Sequence, residues 1–105
     1  MDKSVIKKDS LERIKKIHKV SKLLNRKLKD NHKRRLLELM KEHVEEIEEL
    51  SKKHNRHYLT ETGDLIILCF ELLLEDSVSI DKTLLRCFKR YETKLPRLIK
   101  EIQIS

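Results

Sequence analysis

The chain is 105 residues long and carries 25 Lys/Arg against 18 Asp/Glu, a formal net charge of +7. With one glycine, one proline and an abundance of Leu, Ile, Lys and Glu, its composition is that of an all-helical domain and leaves no room for a low-complexity linker. Cys69 and Cys87 have no Cys-x-x-Cys spacing, the opening residues lack the apolar core of a signal peptide, and the apolar run at 65–74, interrupted by Glu71, is too short for a bilayer. The expectation is therefore a soluble, cytoplasmic protein with reduced thiols and no membrane partner.

Charge is unevenly spread. Residues 1–35 hold fourteen Lys/Arg against four Asp/Glu, a net of +10, whereas residues 36–105 hold eleven against fourteen, a net of −3. Asp9 with Glu12 forms a capping-box pattern that predicts a helix over 9–29, with Leu11, Ile14, Ile17, Val20, Leu24 and Leu28 as one apolar stripe. Asp30 and Asn31 mark a turn or kink. A second helix is predicted over 33–53, with Leu36, Leu37, Met40, Val44, Ile47 and Leu50 facing inward, followed by a polar reversal at Asn55. The third covers 59–75, and its apolar residues run nearly all round, which places it at the centre or in a subunit interface. After a loop at 76–79, Ser79 or Asp81 caps a fourth helix carrying Leu84, Leu85, Phe88, Tyr91 and Leu95. Pro96 is expected to kink or end it, leaving 96–105 as a tail. The whole reads as one all-α domain over 1–105, with a basic helix at 1–35 and motif-bearing helices at 36–95. The architecture is a four-helix-type bundle completed by association as a homodimer or homotetramer.

Acids on the most apolar segment need an explanation, because a buried carboxylate is costly unless a cation meets it. Glu46 and Glu49 share one face of the second helix, and Glu61 and Asp64 share one face of the third. In an antiparallel hairpin reversing near residue 55, Glu49 lies level with Glu61, and Glu46 with Asp64. Helix axes about 8–10 Å apart let four such carboxylates surround one divalent ion. All-oxygen ligands select Mg²⁺ or Mn²⁺ over zinc. Glu71 continues the stripe and borders the same pocket. Gly63 lowers helix propensity by about 1 kcal/mol relative to Ala and leaves room for a close helix or a ligand. The competing reading is a solvated acidic face, strongest for residues 45–49.

Glu45-Glu46-x-x-Glu49 followed by Glu61-x-x-Asp64, the segment Gly63-Asp64-Leu65-Ile66-Ile67-Leu68 and the closing helix from Val78 to Lys94 together resemble the MazG-like all-α nucleoside triphosphate pyrophosphohydrolases. The resemblance covers about residues 40–95. It implies cleavage of a nucleoside triphosphate between its α and β phosphates, giving monophosphate and pyrophosphate. It further implies Glu46, Glu49, Glu61 and Asp64 as Mg²⁺ ligands, with Glu45 as an additional ligand or as the group activating water. Arg90 falls where the family has a phosphate-facing Lys, with Lys94, Lys53 and Arg56 as looser candidates for the same work. Glu71 and Phe88 stand where the family often has Asn, and the basic first helix has no counterpart in it.

Two other features carry weaker signals. His54 and His57 form a possible transition-metal pair but read better as surface residues of a polar turn. The basic segment from Lys3 to Arg35 offers charge for phosphates, yet it contains no aromatic residue on which a base could stack. A solvated basic face is thus favoured over nucleic-acid binding, with electrostatic attraction of triphosphates, or packing on a partner's acidic half, as a further use.

Overall fold

The computed structural model describes residues 4–104; Lys3, where the basic arm begins, and Ser105, where the tail ends, lie outside them. Among the described residues there are four helices and no strand: α1 (Lys8–Lys27), α2 (His32–Lys52), α3 (Tyr58–Glu75) and α4 (Ile80–Ile104). They form an all-α four-helix bundle in which α3 is central. It packs most extensively on α2 and also on α1 and α4, while α4 packs on α3 alone. The basic segment 1–35 therefore contains α1 and the first turn of α2, not a single helix. No helix among the described residues is long and apolar enough to cross a membrane.

The helix ends follow local chemistry. Asn31 caps α2, its side-chain oxygen accepting from the Arg34 N–H at 2.9 Å, and Ser79 Oγ accepts from the Lys82 N–H ahead of α4. The Asp9–Glu12 capping box does not form: α1 starts earlier, after Lys7, and Asp9 lies in its first turn, where a negative charge suits the helix dipole. Asp81 is used differently too. Its Oδ1 accepts from the backbone N–H groups of Val5 (2.7 Å) and Ile6 (3.2 Å), clasping the start of the chain to the base of α4. The first three helices all end alike. Lys29, His54 and Ser77 adopt left-handed φ of 56°, 58° and 57°, and paired bonds such as Asp30 N–H to Asn25 O and Lys29 N–H to Arg26 O close each end. The reversal expected at Asn55 thus turns on His54, one residue earlier. Pro96 does not end α4, which runs on to Ile104. The flanking turns are exposed, so water can satisfy the carbonyl that lacks a proline N–H partner.

The interior is small. Four apolar side chains are buried among the described residues, one from each helix: Ile14, Leu36, Leu68 and Ile80. Only the first two residues of the expected stripe of α1, Leu11 and Ile14, turn inward. Burial follows Leu11, Ile14, His18, Ser21 and Asn25, while Ile17, Val20, Leu24 and Leu28 face solvent, Val20 and Leu28 each 66% exposed. On α2, Leu36, Met40, Ile47 and Leu50 turn inward as expected, but Leu37 and Val44 do not. From Phe88 onward α4 is exposed on every side through Gln103. The radius of gyration is 17.1 Å, against about 13 Å for a closed globule of this length.

A left-handed φ costs an L-residue with a Cβ about 1 kcal/mol or more that glycine avoids. Lys29→Gly, His54→Gly and Ser77→Gly should therefore each raise the urea-unfolding free energy by about 1 kcal/mol, seen as a higher midpoint with an unchanged slope.

Candidate functional site

The inward positions of α2 include Leu36, Met40, His43, Ile47 and Leu50, in alternating four- and three-residue steps. Glu46 and Glu49 each precede an inward residue by one, and one residue is about 100° of rotation, so both carboxylates swing to the exposed edge. His43 takes the place level with Glu61 and Asp64 instead. Its Nε2 lies 3.4 Å from Glu61 Oε2 and 3.9 Å from Asp64 Oδ2, and its Nδ1 donates to the Leu39 carbonyl at 2.7 Å. Glu61 is also 3.5 Å from His57 Nε2. One ligand atom from each of His43, Glu61 and Asp64 lies within 4.8 Å of the others. The donor set brought together by the single chain is thus one imidazole and two carboxylates, and the all-oxygen quartet with Glu46 and Glu49 is not gathered. Those residues alone do not fit the octahedral oxygen cage that Mg²⁺ prefers.

Each remaining predicted residue has a definite place. Glu45 is exposed beside Glu46 on α2. Lys53 Nζ donates to Glu49 Oε1 at 2.9 Å, and this bond, with the lysine charge, lowers the Glu49 pKa. Arg56 is exposed in the α2–α3 turn. Arg90 and Lys94 lie with Arg86 and Arg97 along one side of the projecting part of α4, away from the acids of α2 and in no ion pair among the described residues. Asp64 is open, its side chain 53% exposed, and Ile17, Ile67 and Leu68 form an apolar recess beside it and His43. A Cβ built on Gly63 meets nothing within 4 Å, so no helix approaches closely there and the space is open.

Glu71 does not border this recess. It is buried and turned toward α1, where Ser21 Oγ donates to its Oε1 and His18 Nδ1 lies 3.4 Å away. One turn on, Glu75 Oε2 lies 3.2 Å from His18 Nε2, 3.3 Å from Lys22 Nζ and 3.8 Å from His32 Nε2. Burial, opposed chiefly by the charge of Glu75, lowers the His32 pKa. Sequence reasoning passed over His18, His32 and His43. The available signal was polar residues at inward spacing, as in Ile14–His18–Ser21–Asn25, a pattern that an apolar-stripe search discards. Both cysteines are free and half-buried, and burial raises the Cys69 pKa.

Comparison with known protein families, with curated proteins and with solved structures finds no match to this chain.

Gly63 lies mid-helix with open space beside it, so Gly63→Ala should stabilise the protein by about 1 kcal/mol through helix propensity alone. A fall in the unfolding midpoint would reveal that something fills that space in the assembled protein.

Proposed function

We propose that the protein is a MazG-like nucleoside triphosphate pyrophosphohydrolase working as a homodimer or larger assembly. One observation carries the reading. In a chain with 25 Lys/Arg, the carboxylates of Glu45, Glu46, Glu61 and Asp64 pair with no lysine or arginine among the described residues. They lie on the two helices that pack most extensively: Glu45 and Glu46 exposed on α2, Glu61 largely covered and Asp64 open beside an apolar recess on α3. Carboxylates left without a cationic side chain on a basic protein are suited to a divalent ion that arrives with a triphosphate. The resemblance implies Glu46, Glu49, Glu61 and Asp64 as the residues that would share that ion, which requires Glu46 and Glu49 to turn toward α3 and Glu49 to leave Lys53, with Glu45 as a spare base for water. When bound, Mg²⁺ neutralises phosphate charge and lowers the pKa of coordinated water.

The exposed apolar faces support association. Phe88, Tyr91, Leu95, Ile99 and Ile102 line one side of α4, opposite Arg86, Arg90 and Arg97. Ile17, Val20, Leu24 and Leu28 leave α1 with a matching uncovered stripe. Covering each such side chain contributes roughly 1.5–3 kcal/mol.

The second reading is a non-catalytic MazG-like bundle acting through interactions or, by its basic N-terminal segment, through nucleic acid. It is favoured by His43, which lies at ion-pair distance from both Glu61 and Asp64 and, when protonated, neutralises them without an ion. Nucleic-acid binding of this kind would weaken steeply with salt.

Purified protein should release pyrophosphate from at least one ribo- or deoxyribonucleoside triphosphate, only with Mg²⁺ or Mn²⁺, and Asp64→Asn should reduce the rate by about 10²-fold or more. Absence of release across all eight common triphosphates would sink the enzyme reading in favour of the second. Separately, light scattering should show at least a dimer, and the double substitution Leu95→Glu with Ile99→Glu should reduce it to monomer; a monomeric wild-type protein would remove the assembly.

A further inference from the structure

Two turns beyond Asp64 on α3, about 10 Å along the axis, a second group of donors has no place in the pyrophosphohydrolase reading. His18 of α1, His32 at the first position of α2, and Glu71 and Glu75 of α3 converge where the three helices meet. The His32 and Glu71 side chains are only 8% and 4% exposed. Ligand atoms of His18, His32 and Glu71 lie within 4.8 Å of one another, and Glu75 Oε2 lies 3.2 Å from His18 Nε2 and 3.8 Å from His32 Nε2. His32 Nε2 and Glu75 Oε2 are buried, yet neither makes a hydrogen bond. Buried polar atoms are rarely left so. These two lie 3.8 Å apart, and Glu75 Oε2 has only ion-pair contacts, with His18 and Lys22.

We propose that this junction is a binding site for a divalent transition-metal ion, taking one nitrogen each from His18 and His32 and one oxygen each from Glu71 and Glu75. A tetrahedral ion with bonds of 2.0–2.1 Å holds its donors roughly 3.3–3.4 Å apart. The shortest spacings found are of that size but fall on different nitrogens of His18, Nδ1 beside Glu71 Oε1 (3.4 Å) and Nε2 beside Glu75 Oε2 (3.2 Å), so the imidazole turns to offer one of them to the ion. Two imidazoles with two carboxylates select zinc-like ions over Mg²⁺ and Ca²⁺. The supports for such ligands are in place. Ser21 holds Glu71, and the Asn25 amide contacts His32 Nδ1 at 2.8 Å. Turning that amide over lets Nδ1–H donate to its oxygen and leaves Nε2 with a lone pair for the ion. Glu71 and Glu75 stand in the last turn and a half of α3, at the negative end of its dipole, where a cation is further favoured. Lys22, half-exposed at the rim, is the flexible cation that leaves Glu75 for solvent when the ion enters.

The site is independent of pyrophosphohydrolase activity, and so is its test. Protein stripped with a chelator is titrated with Co²⁺, read by visible absorption, and with Zn²⁺, read by calorimetry. One ion per chain is expected, with the intense d–d bands of a four- or five-coordinate nitrogen–oxygen site and displacement of Co²⁺ by Zn²⁺. His32→Ala and Glu75→Gln should each weaken binding at least tenfold, about the loss seen when a supporting residue of a metal site is removed. His43→Ala, at the other cluster, should leave it unchanged. Helical circular dichroism checks that each variant is folded. Absence of a Co²⁺ spectrum in the wild-type protein would overturn the proposal, whatever the variants do. So would binding lost in His43→Ala and kept in His32→Ala, which would place the ion beside Glu61 and Asp64.

Discussion

The structure depends on carboxylates of α3 meeting imidazoles from the elements around it. Glu61, Asp64, Leu68, Glu71 and Glu75 form one stripe in alternating three- and four-residue steps, and only Leu68 among them is apolar. Against these acids lie His43 of α2, His57 of the preceding turn, His18 of α1 and His32 at the start of α2, four of the five histidines in the chain. Four buried apolar side chains make too small a core to fix three helices in register by shape alone. Polar pairs at defined atoms can fix it, because an acid that slides away from its imidazole is left desolvated and alone. This arrangement explains why the most apolar helix carries carboxylates at all.

Much of the architecture was legible from residue order. The four helices, the turn at Asp30–Asn31, Ser79 as one of two candidate caps, and the polar reversal between α2 and α3 follow from local propensity and capping chemistry, which act within a few residues, and the all-round apolar character of α3 left a central place as one of two readings. What failed were inferences about rotation. The apolar stripe of α1, read as core or dimer interface, is inward only at Leu11 and Ile14; beyond them burial follows His18, Ser21 and Asn25, whose partners are acids on α3 for the first two and His32 for the third. Glu46 and Glu49 were expected to face α3 and miss it by a single residue, since Ile47 and Leu50 take the inward positions. A rotation of 100° is invisible to motif spacing and decisive for a binding site. The histidines were missed for the same reason: a polar residue at an inward position has meaning only once its partner is known.

The outward apolar stripes and the inward polar stripe of α1 form one pattern. Helices of a self-sufficient monomer put their greasy side in; here α1 and the distal half of α4 put it out. On α1, polar and directional contacts within the chain lie on one side and an exposed apolar stripe on the other. The fold also separates the two acid groups. Near the α2–α3 turn Asp64 is open to solvent beside the largely covered Glu61, and the pair at the α3 C-terminus is enclosed by three helices.

The clasp between Asp81 and the Val5 and Ile6 amides has a temporal consequence. Its two sides are 76 and 75 residues apart, so it can close only after α1, α2, α3 and the start of α4 have been made. The hairpin of α2 and α3 needs only local loop closure and has the most extensive packing, so it forms first. Although α1 precedes the other three helices in the chain, its contacts complete late: it waits on the acids of α3 for its docking and on the base of α4 for its final fastening.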